Sequence, residues 1–196
     1  MTTPLVLSFD TSAAHVAAAL LCGDEIVVRK VEEMKRGQAE RLMPMLEEVL
    51  AEGGKRFADL DAIGVGIGPG NFTGIRISVS AARGLALGLG IPAVGVSSFD
   101  AIEAGLTGDG VAMVSAPRGQ GYLFPKGGKP YLAAEEELAQ IAEKTSLVMP
   151  EATSLVEQIA RLAAQRYPDN PARPAPLYIK PADAAPPKDP APVILP

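Results

Sequence analysis

The chain has 196 residues, of which 47% are hydrophobic and 21% are charged, and its formal net charge is −5. This composition is typical of a soluble protein with one domain or two small lobes, and the acidic balance argues against strong unaided binding of nucleic acid. A single cysteine excludes an internal disulfide, and neither a membrane-spanning apolar run nor a signal peptide is recognisable, so we expect a cytoplasmic protein.

Three apolar runs open the chain and predict three strands. They cover residues 5–9, 15–21 and 25–31, and the last is rich in β-branched side chains. The connections between them are short. Because a parallel pair of strands needs a long crossover, these neighbours should be antiparallel.

Helices and strands alternate after the third strand. Apolar residues recur at three- and four-residue spacing over 38–52, which predicts a helix, and a strand over 61–67, a helix over 72–89 and a strand over 91–96 follow. This order predicts an α/β fold, with the mixed sheet and packed helices of the actin, hexokinase and Hsp70 superfamily (ASKHA, RNase H-like). We assign it to an N-terminal lobe, residues 1–100.

The second half of the chain predicts a smaller, reduced lobe over residues 101–170. A hairpin is predicted from 111–115 and 120–124, and helices over 135–143 and 154–165. Residues 171–196 are rich in proline, so we expect an extended tail, with an edge strand near 177–180.

The most informative stretch joins the fourth strand to the second helix, and it reads Gly68-Pro69-Gly70-Asn71-Phe72-Thr73-Gly74-Ile75-Arg76. Its glycines permit backbone angles closed to other residues, and Asn71 can cap the helix. The first-turn amides and Arg76 form a candidate anion site, although a tight, well-capped connection explains the same residues equally well. The glycine spacing fits neither a Walker loop nor a dinucleotide-binding loop.

Asp10, Thr11 and Ser12 close the first strand and are candidate nucleotide contacts. In nucleotide-handling members of the actin-like superfamily, an acidic residue and hydroxyls at this place face Mg²⁺ and phosphates. A turn whose aspartate bonds its own backbone would use the same residues. The second half offers no suitable second phosphate loop, so we expect no independent catalysis. An actin-like-fold ATPase or small-molecule kinase is the alternative.

Small side chains share one side of the second predicted helix. Gly74, Ser78, Ala81 or Ala82, and Leu85 recur at helical spacing. Such a face lets another backbone approach closely, which could be the chain's own sheet or a helix of another subunit. For the second case we expect Ser78→Glu to block association without unfolding the chain.

Taken together, these motifs resemble the TsaB (YeaZ) family. The family pattern opens with an apolar strand ending in Asp-Thr-Ser, here residues 10–12, and its hallmark is Gly-Pro-Gly-Ser-Phe-Thr-Gly-x-Arg, matched over 68–76 except at Asn71. The family's Leu-Leu-Pro helix is similar to residues 42–44, and its Pro-x-Tyr-Leu-Arg ending is similar to 176–180.

The resemblance implies a non-catalytic subunit that pairs with a TsaD homologue, is joined by the ATPase TsaE, and reaches tRNA indirectly through that complex. It implies no catalytic residue, metal or required cofactor in this chain, with ATP or ADP possible at the level of the complex, and a homodimer when the chain is alone. By the same resemblance, the partner interface lies on the first two helices, at Glu40, Leu42, Leu46, Phe72, Gly74, Arg76, Ser78, Ala81, Ala82 and Leu85.

Some positions depart from the family pattern. Gln38 replaces the usual histidine, and residues 115–122 lack the acids of the corresponding family stretch. The related catalytic subunit holds a metal with a His-x-x-x-His helix, which a chain with one histidine cannot build. We expect that histidine, His15, to be structural or on the surface.

Overall fold

The computed structural model describes residues 3–179, and it begins with a five-stranded mixed sheet. The strands are β1 (Leu5–Asp10), β2 (His15–Cys22), β3 (Glu25–Glu33), β4 (Ala62–Gly66) and β5 (Ala93–Val96). They lie in the order β3-β2-β1-β4-β5, in which the first three are antiparallel and β4 and β5 run parallel to β1. This is the sheet of the actin-like (ASKHA, RNase H-like) fold, so the predicted fold class is confirmed.

Two helices cover one face of this sheet. Helix α1 (Gln38–Glu52) and helix α2 (Phe72–Leu89) contact each other and pack over the odd-numbered residues of β1. The shared core contains Leu7, Phe9 and Leu46, all with no exposed surface. Both helices match their predicted bounds.

The opposite face is covered by a helix from the far end of the chain. Helix α3 (Ser98–Gly105) follows β5, and helix α5 (Ala152–Arg166) packs against both α3 and the strands of the first sheet. Ser8 Oγ on β1 donates a hydrogen bond to Val156 O on α5 at 2.8 Å. The predicted boundary at residue 100 is therefore corrected, because α5 completes the first lobe.

A four-stranded sheet forms the smaller second unit. Its strands are β6 (Val111–Ser115), β7 (Gly121–Phe124), β8 (Tyr131–Ala133) and β9 (Leu147–Val148), in the order β8-β7-β6-β9. Helix α4 (Glu135–Ala142) lies between β8 and β9 in the chain. The predicted β6–β7 hairpin and the helices α4 and α5 are confirmed within one or two residues, whereas α3, β8 and β9 were not predicted.

Residues 171–179 run back along the first sheet without forming a strand. Leu177 N donates to Ile67 O at 2.8 Å, just beyond β4. The predicted edge strand at 177–180 is therefore corrected for its described part to an extended segment, and residues 180–196 of the predicted tail lie outside the described residues. None of the helices described is both long and apolar enough to pass through a bilayer.

Candidate functional site

The Asp10 turn and the 68–76 loop meet at one edge of the first sheet. Strands β1 and β4 are parallel neighbours, so their carboxyl ends bring Asp10 and Gly66 side by side. A side chain at Gly66 would overlap Asp10 Oδ1. Glycine is needed there because the Asp10 carboxylate lies against the backbone of β4.

The Asp10 carboxylate is fully buried and makes three polar contacts through one oxygen. Oδ2 accepts hydrogen bonds from Ser12 N and Ser12 Oγ, both at 2.9 Å, and lies 2.8 Å from His15 Nε2. Oδ1 has no hydrogen-bond partner among the described residues. Because a buried carboxylate is costly without donors, these contacts compensate for much of its desolvation.

His15 reaches Asp10 through the register of the β1–β2 hairpin. Asp10 pairs with Ala17, so His15 lies two residues along β2 on the same face of the sheet. Its side chain is buried, which agrees with a structural histidine. The sequence prediction missed the pairing, because it depends on the register of the hairpin.

The glycines of the loop press directly on the Asp10 turn. Asn71 N donates to Ser12 O at 2.6 Å, and Thr11 Oγ1 donates to Gly74 O at 2.7 Å. A Cβ atom at Gly70 would overlap Ser12 O, and one at Gly74 would overlap Thr11 O. The loop needs glycine at both places because two backbones are in contact.

The candidate nucleotide contacts are thereby enclosed. Asp10 and Thr11 have no exposed surface and Ser12 is 4% exposed. A phosphate could reach them only if the loop first moved away. The arrangement also differs from a serine-hydrolase triad, because Ser12 Oγ donates to the aspartate and not to the histidine.

The N-terminus of α2 is capped by Asn71 as predicted, and Arg76 contacts two aromatic side chains. Asn71 Oδ1 accepts from Gly74 N at 2.8 Å. Arg76 stacks over the Phe72 ring, 3.7 Å from its centroid, and its Nε donates to Tyr178 Oη at 2.9 Å. Arg76 is thus held by two aromatic rings beside the tail segment, and the predicted anion site remains a prediction.

Half of the predicted partner interface lies inside the chain's own core. Ser78 is buried, and its Oγ donates to Gly66 O and Ile75 O, both at 3.1 Å. The following predicted interface residues are also buried: Leu42, Leu46, Gly74 and Ala82. Their assignment to a contact surface is corrected, and a charge at Ser78 would disrupt the core and not only an interface.

The other predicted interface residues remain accessible on the outer side of α1 and α2. Glu40 and Arg76 are exposed, while Phe72, Ala81 and Leu85 are half-buried. Two apolar side chains that the sequence prediction missed lie on the same helices, Met43 with 36% exposed surface and Leu87 with 81%. We call this area the outer helix surface, and its role as an interface stays a prediction.

An ion-pair network fixes α1 against β3. Arg41 Nε donates to Glu32 Oε2 at 2.7 Å, and Arg41 NH1 donates to Glu48 Oε1 at 2.7 Å. The hydrogen bond from Arg41 lowers the pKa of Glu48 to about 2. Since both carboxylates are more than a third exposed and water screens their charges, the network positions α1 more than it stabilises the fold.

Within residues 3–179, no three His, Cys, Asp or Glu side chains are grouped so that they could hold a metal ion.

Comparison of the sequence with protein families identifies its relatives. Residues 29–180 match the family model described as TsaD, tRNA N6-adenosine threonylcarbamoyltransferase. An uncharacterised protein of Mycobacterium tuberculosis is 33% identical over 198 residues, which span 92% of this chain and 94% of that protein.

Shorter matches link the chain to proteins with the TsaB name. The tRNA threonylcarbamoyladenosine biosynthesis protein TsaB of Escherichia coli is 37% identical over 94 residues, covering 48% of this chain and 40% of that protein. The protein of the same name from Bacillus subtilis is 36% identical over 120 residues, covering 60% of this chain and 52% of its own length.

Solved structures agree with this relationship. YeaZ from Pseudomonas aeruginosa superposes with a TM-score of 0.64 at 25% identity, covering 83% of this chain and 93% of that one. The family model spans most of this chain, and the loop at 68–76 and the strand order described above fit the same group. The chain belongs to the TsaB (YeaZ) family.

Proposed function

We propose that this chain is a non-catalytic subunit in the cytoplasmic biosynthesis of threonylcarbamoyladenosine on tRNA. Its relatives in Escherichia coli and Bacillus subtilis are named for that biosynthesis. In this proposal the chain pairs with a TsaD homologue, which carries out the transfer to the adenosine beside the anticodon of ANN-decoding tRNAs. The ATPase TsaE joins that pair.

The observation that carries the proposal is the enclosed Asp10 turn. An enzyme of the actin-like fold needs its first-strand acid and hydroxyls open to Mg²⁺ and phosphate. Here the hydrogen bonds of those groups go to the chain itself, and Gly70 and Gly74 fill the space in front of them. This favours a structural use of the lobe over turnover of a nucleotide.

The outer helix surface supports a protein partner. Leu87 is the most exposed of the large apolar side chains in the described part of the chain. Covering a solvent-exposed leucine with a partner removes apolar surface from water and so stabilises the complex. Gly84 and Gly88 on α2 leave open space above the backbone, so another helix could approach closely. The pI of about 5.0 favours contact with tRNA through the complex and not by this chain alone.

Co-purification with the TsaD homologue of the same organism tests the proposal. We expect one-to-one association in size-exclusion chromatography with light scattering, and we expect Leu87→Glu to weaken it by about thirtyfold, the effect of losing one interface anchor worth about 2 kcal/mol. Met149→Glu is the matched control, because Met149 is 57% exposed and follows β9 on the second unit.

Two outcomes would contradict the proposal. If the proteins run separately, with and without ATP and TsaE, the partner claim fails. If the purified chain hydrolyses ATP, and a folded Asp10→Ala variant does not, the alternative of an actin-like-fold ATPase replaces it. Circular dichroism must first show that the Asp10→Ala variant is folded, since Asp10 is buried.

A further inference from the structure

A second concave site lies between the C-terminal half of α2 and the segment that follows α5. This pocket has a volume of about 520 Å³, and Arg83 and Arg173 both line it. Its wall is mainly apolar and includes Leu87, Ile91 and Pro174. None of the residues of the Asp10 turn lines it, so it is separate from that turn, and through Leu87 it adjoins the outer helix surface.

The two arginines of this pocket are not neutralised by the part of the chain that the structure describes. No carboxylate of residues 3–179 lies within ion-pair distance of either guanidinium. By contrast, Arg166 at the end of α5 is paired with Asp100 at 3.0 Å. Asp169, the acid nearest to Arg173 in sequence, is not part of the lining. An apolar pocket with two unneutralised cations is suited to an anion.

The C-terminal end of α2 repels an anion in this pocket, but more weakly than the two guanidiniums attract it. Gly90 caps the helix and lines the pocket, so the C-terminal end of the helix contributes about half a negative charge. The guanidiniums contribute two full positive charges. The balance at the pocket is therefore positive.

We propose that this pocket binds a small phosphomonoester whose body is apolar or heteroaromatic. A phosphomonoester carries about −1.5 to −2 charge at neutral pH, which matches two guanidiniums, and the planar guanidinium fork fits phosphate oxygens. The pocket volume lies within the range of about 300–1,000 Å³ found for small-molecule sites. The apolar wall explains why the ligand needs a body as well as a phosphate.

Calorimetric titration of the full chain with AMP, phenyl phosphate and inorganic phosphate tests this proposal. We expect at least one of the two esters to bind saturably and more tightly than inorganic phosphate. Arg83→Gln and Arg173→Gln should each weaken that binding by about tenfold to a hundredfold, through loss of a charge-assisted hydrogen bond. Both side chains are exposed, so the variants should fold normally.

Arg36→Gln is the matched control, since Arg36 is an exposed arginine on the loop before α1 and does not line the pocket. The proposal is overturned if neither ester binds saturably, if the two pocket variants bind as the parent chain does, or if inorganic phosphate binds as tightly as the esters. The titration uses this chain alone, so its outcome is independent of the proposed pairing with a TsaD homologue.

Discussion

Gly74 and Gly84 belong to the same helix, yet the space around them differs completely. A Cβ atom at Gly74 would overlap the Thr11 carbonyl oxygen, which is backbone and cannot move aside cheaply. A Cβ atom at Gly84 meets nothing within 4 Å. Gly74 is required by contact between two backbones, whereas Gly84 is required by no contact within the described residues and lowers the stability of the helix.

Alanine substitutions at Gly74 and Gly84 should therefore change the free energy of unfolding in opposite directions. We expect Gly74→Ala to lower the free energy of unfolding by about 3 kcal/mol through overpacking. Gly84→Ala should raise it by about 1 kcal/mol, because alanine is the better helix former. Urea denaturation of the parent chain and both variants measures the difference, and a destabilised Gly84→Ala chain would contradict the assigned space at that position.

For single residues, the sequence predicts local roles such as helix capping better than it predicts contacts with distant residues. Asn71 as a cap follows from its place before a helical pattern, and it is confirmed. The pairing of Asp10 with His15 was missed, because it depends on the register of a hairpin whose turn length is uncertain from sequence. Ser78 was assigned to the partner interface and is buried instead, since helical spacing shows a face but not what covers it.

At the scale of elements, the placement of α1 depends on charges as well as on its apolar side. Arg41 joins Glu32 on β3 to Glu48 on α1 itself, and it lowers the pKa of both carboxyl groups. The pKa of Glu48 falls from an ordinary 4.5 to about 2. A depressed carboxyl pKa stabilises the folded state above the unfolded pKa, and that stabilisation is lost as the pH falls.

The pH dependence of unfolding should report this network. Between pH 4.5 and about 2, Glu48 becomes protonated and its share of the stability disappears, so the parent chain should lose stability more steeply than Arg41→Gln. Urea midpoints measured across this range provide the comparison, with Arg36→Gln as a control that should follow the parent chain. If the urea midpoint fell equally steeply with pH in the parent chain and in Arg41→Gln, the ion pairs of Arg41 would make no contribution to the pH dependence of stability.

Element prediction worked where the pattern was long and failed where it was short. The helices α1 and α2 have 15 and 18 residues and match their predicted bounds. Strands β8 and β9 have three and two residues, too few to show any alternation. Helix α3 was also missed, although Ser97 caps it by accepting from Asp100 N at 3.0 Å, a signal that was available in the sequence.

At the scale of the whole molecule, chain order and spatial order differ. Helix α5 follows the second sheet in the chain but packs on the first, where Val156, Ile159 and Ala160 have no exposed surface. Sequence patterns could not predict this return, because periodicity shows that a helix has an apolar side but not which sheet receives it. The predicted division at residue 100 followed chain order for that reason.

Hydrogen exchange should separate the molecule along this spatial division. We expect the amides of β1, β2 and α5 to exchange slowest and as one group, because they share one core. The amides of α4, which has no buried residue, should exchange fastest among the helices. Exchange of α5 together with β6 and β7, and not with β1, would contradict the corrected boundary.

The late position of α5 also shapes how the chain is made. On the ribosome, α3 is completed about 45 residues before α5 begins. At about 5–20 residues per second, translation of that interval takes roughly 2–9 s. During those seconds α5 is not yet available to cover the even-numbered side chains of β1. A nascent chain with this apolar surface exposed is a substrate for chaperones. A message truncated before codon 152 would thus yield an aggregating fragment and not a smaller folded protein.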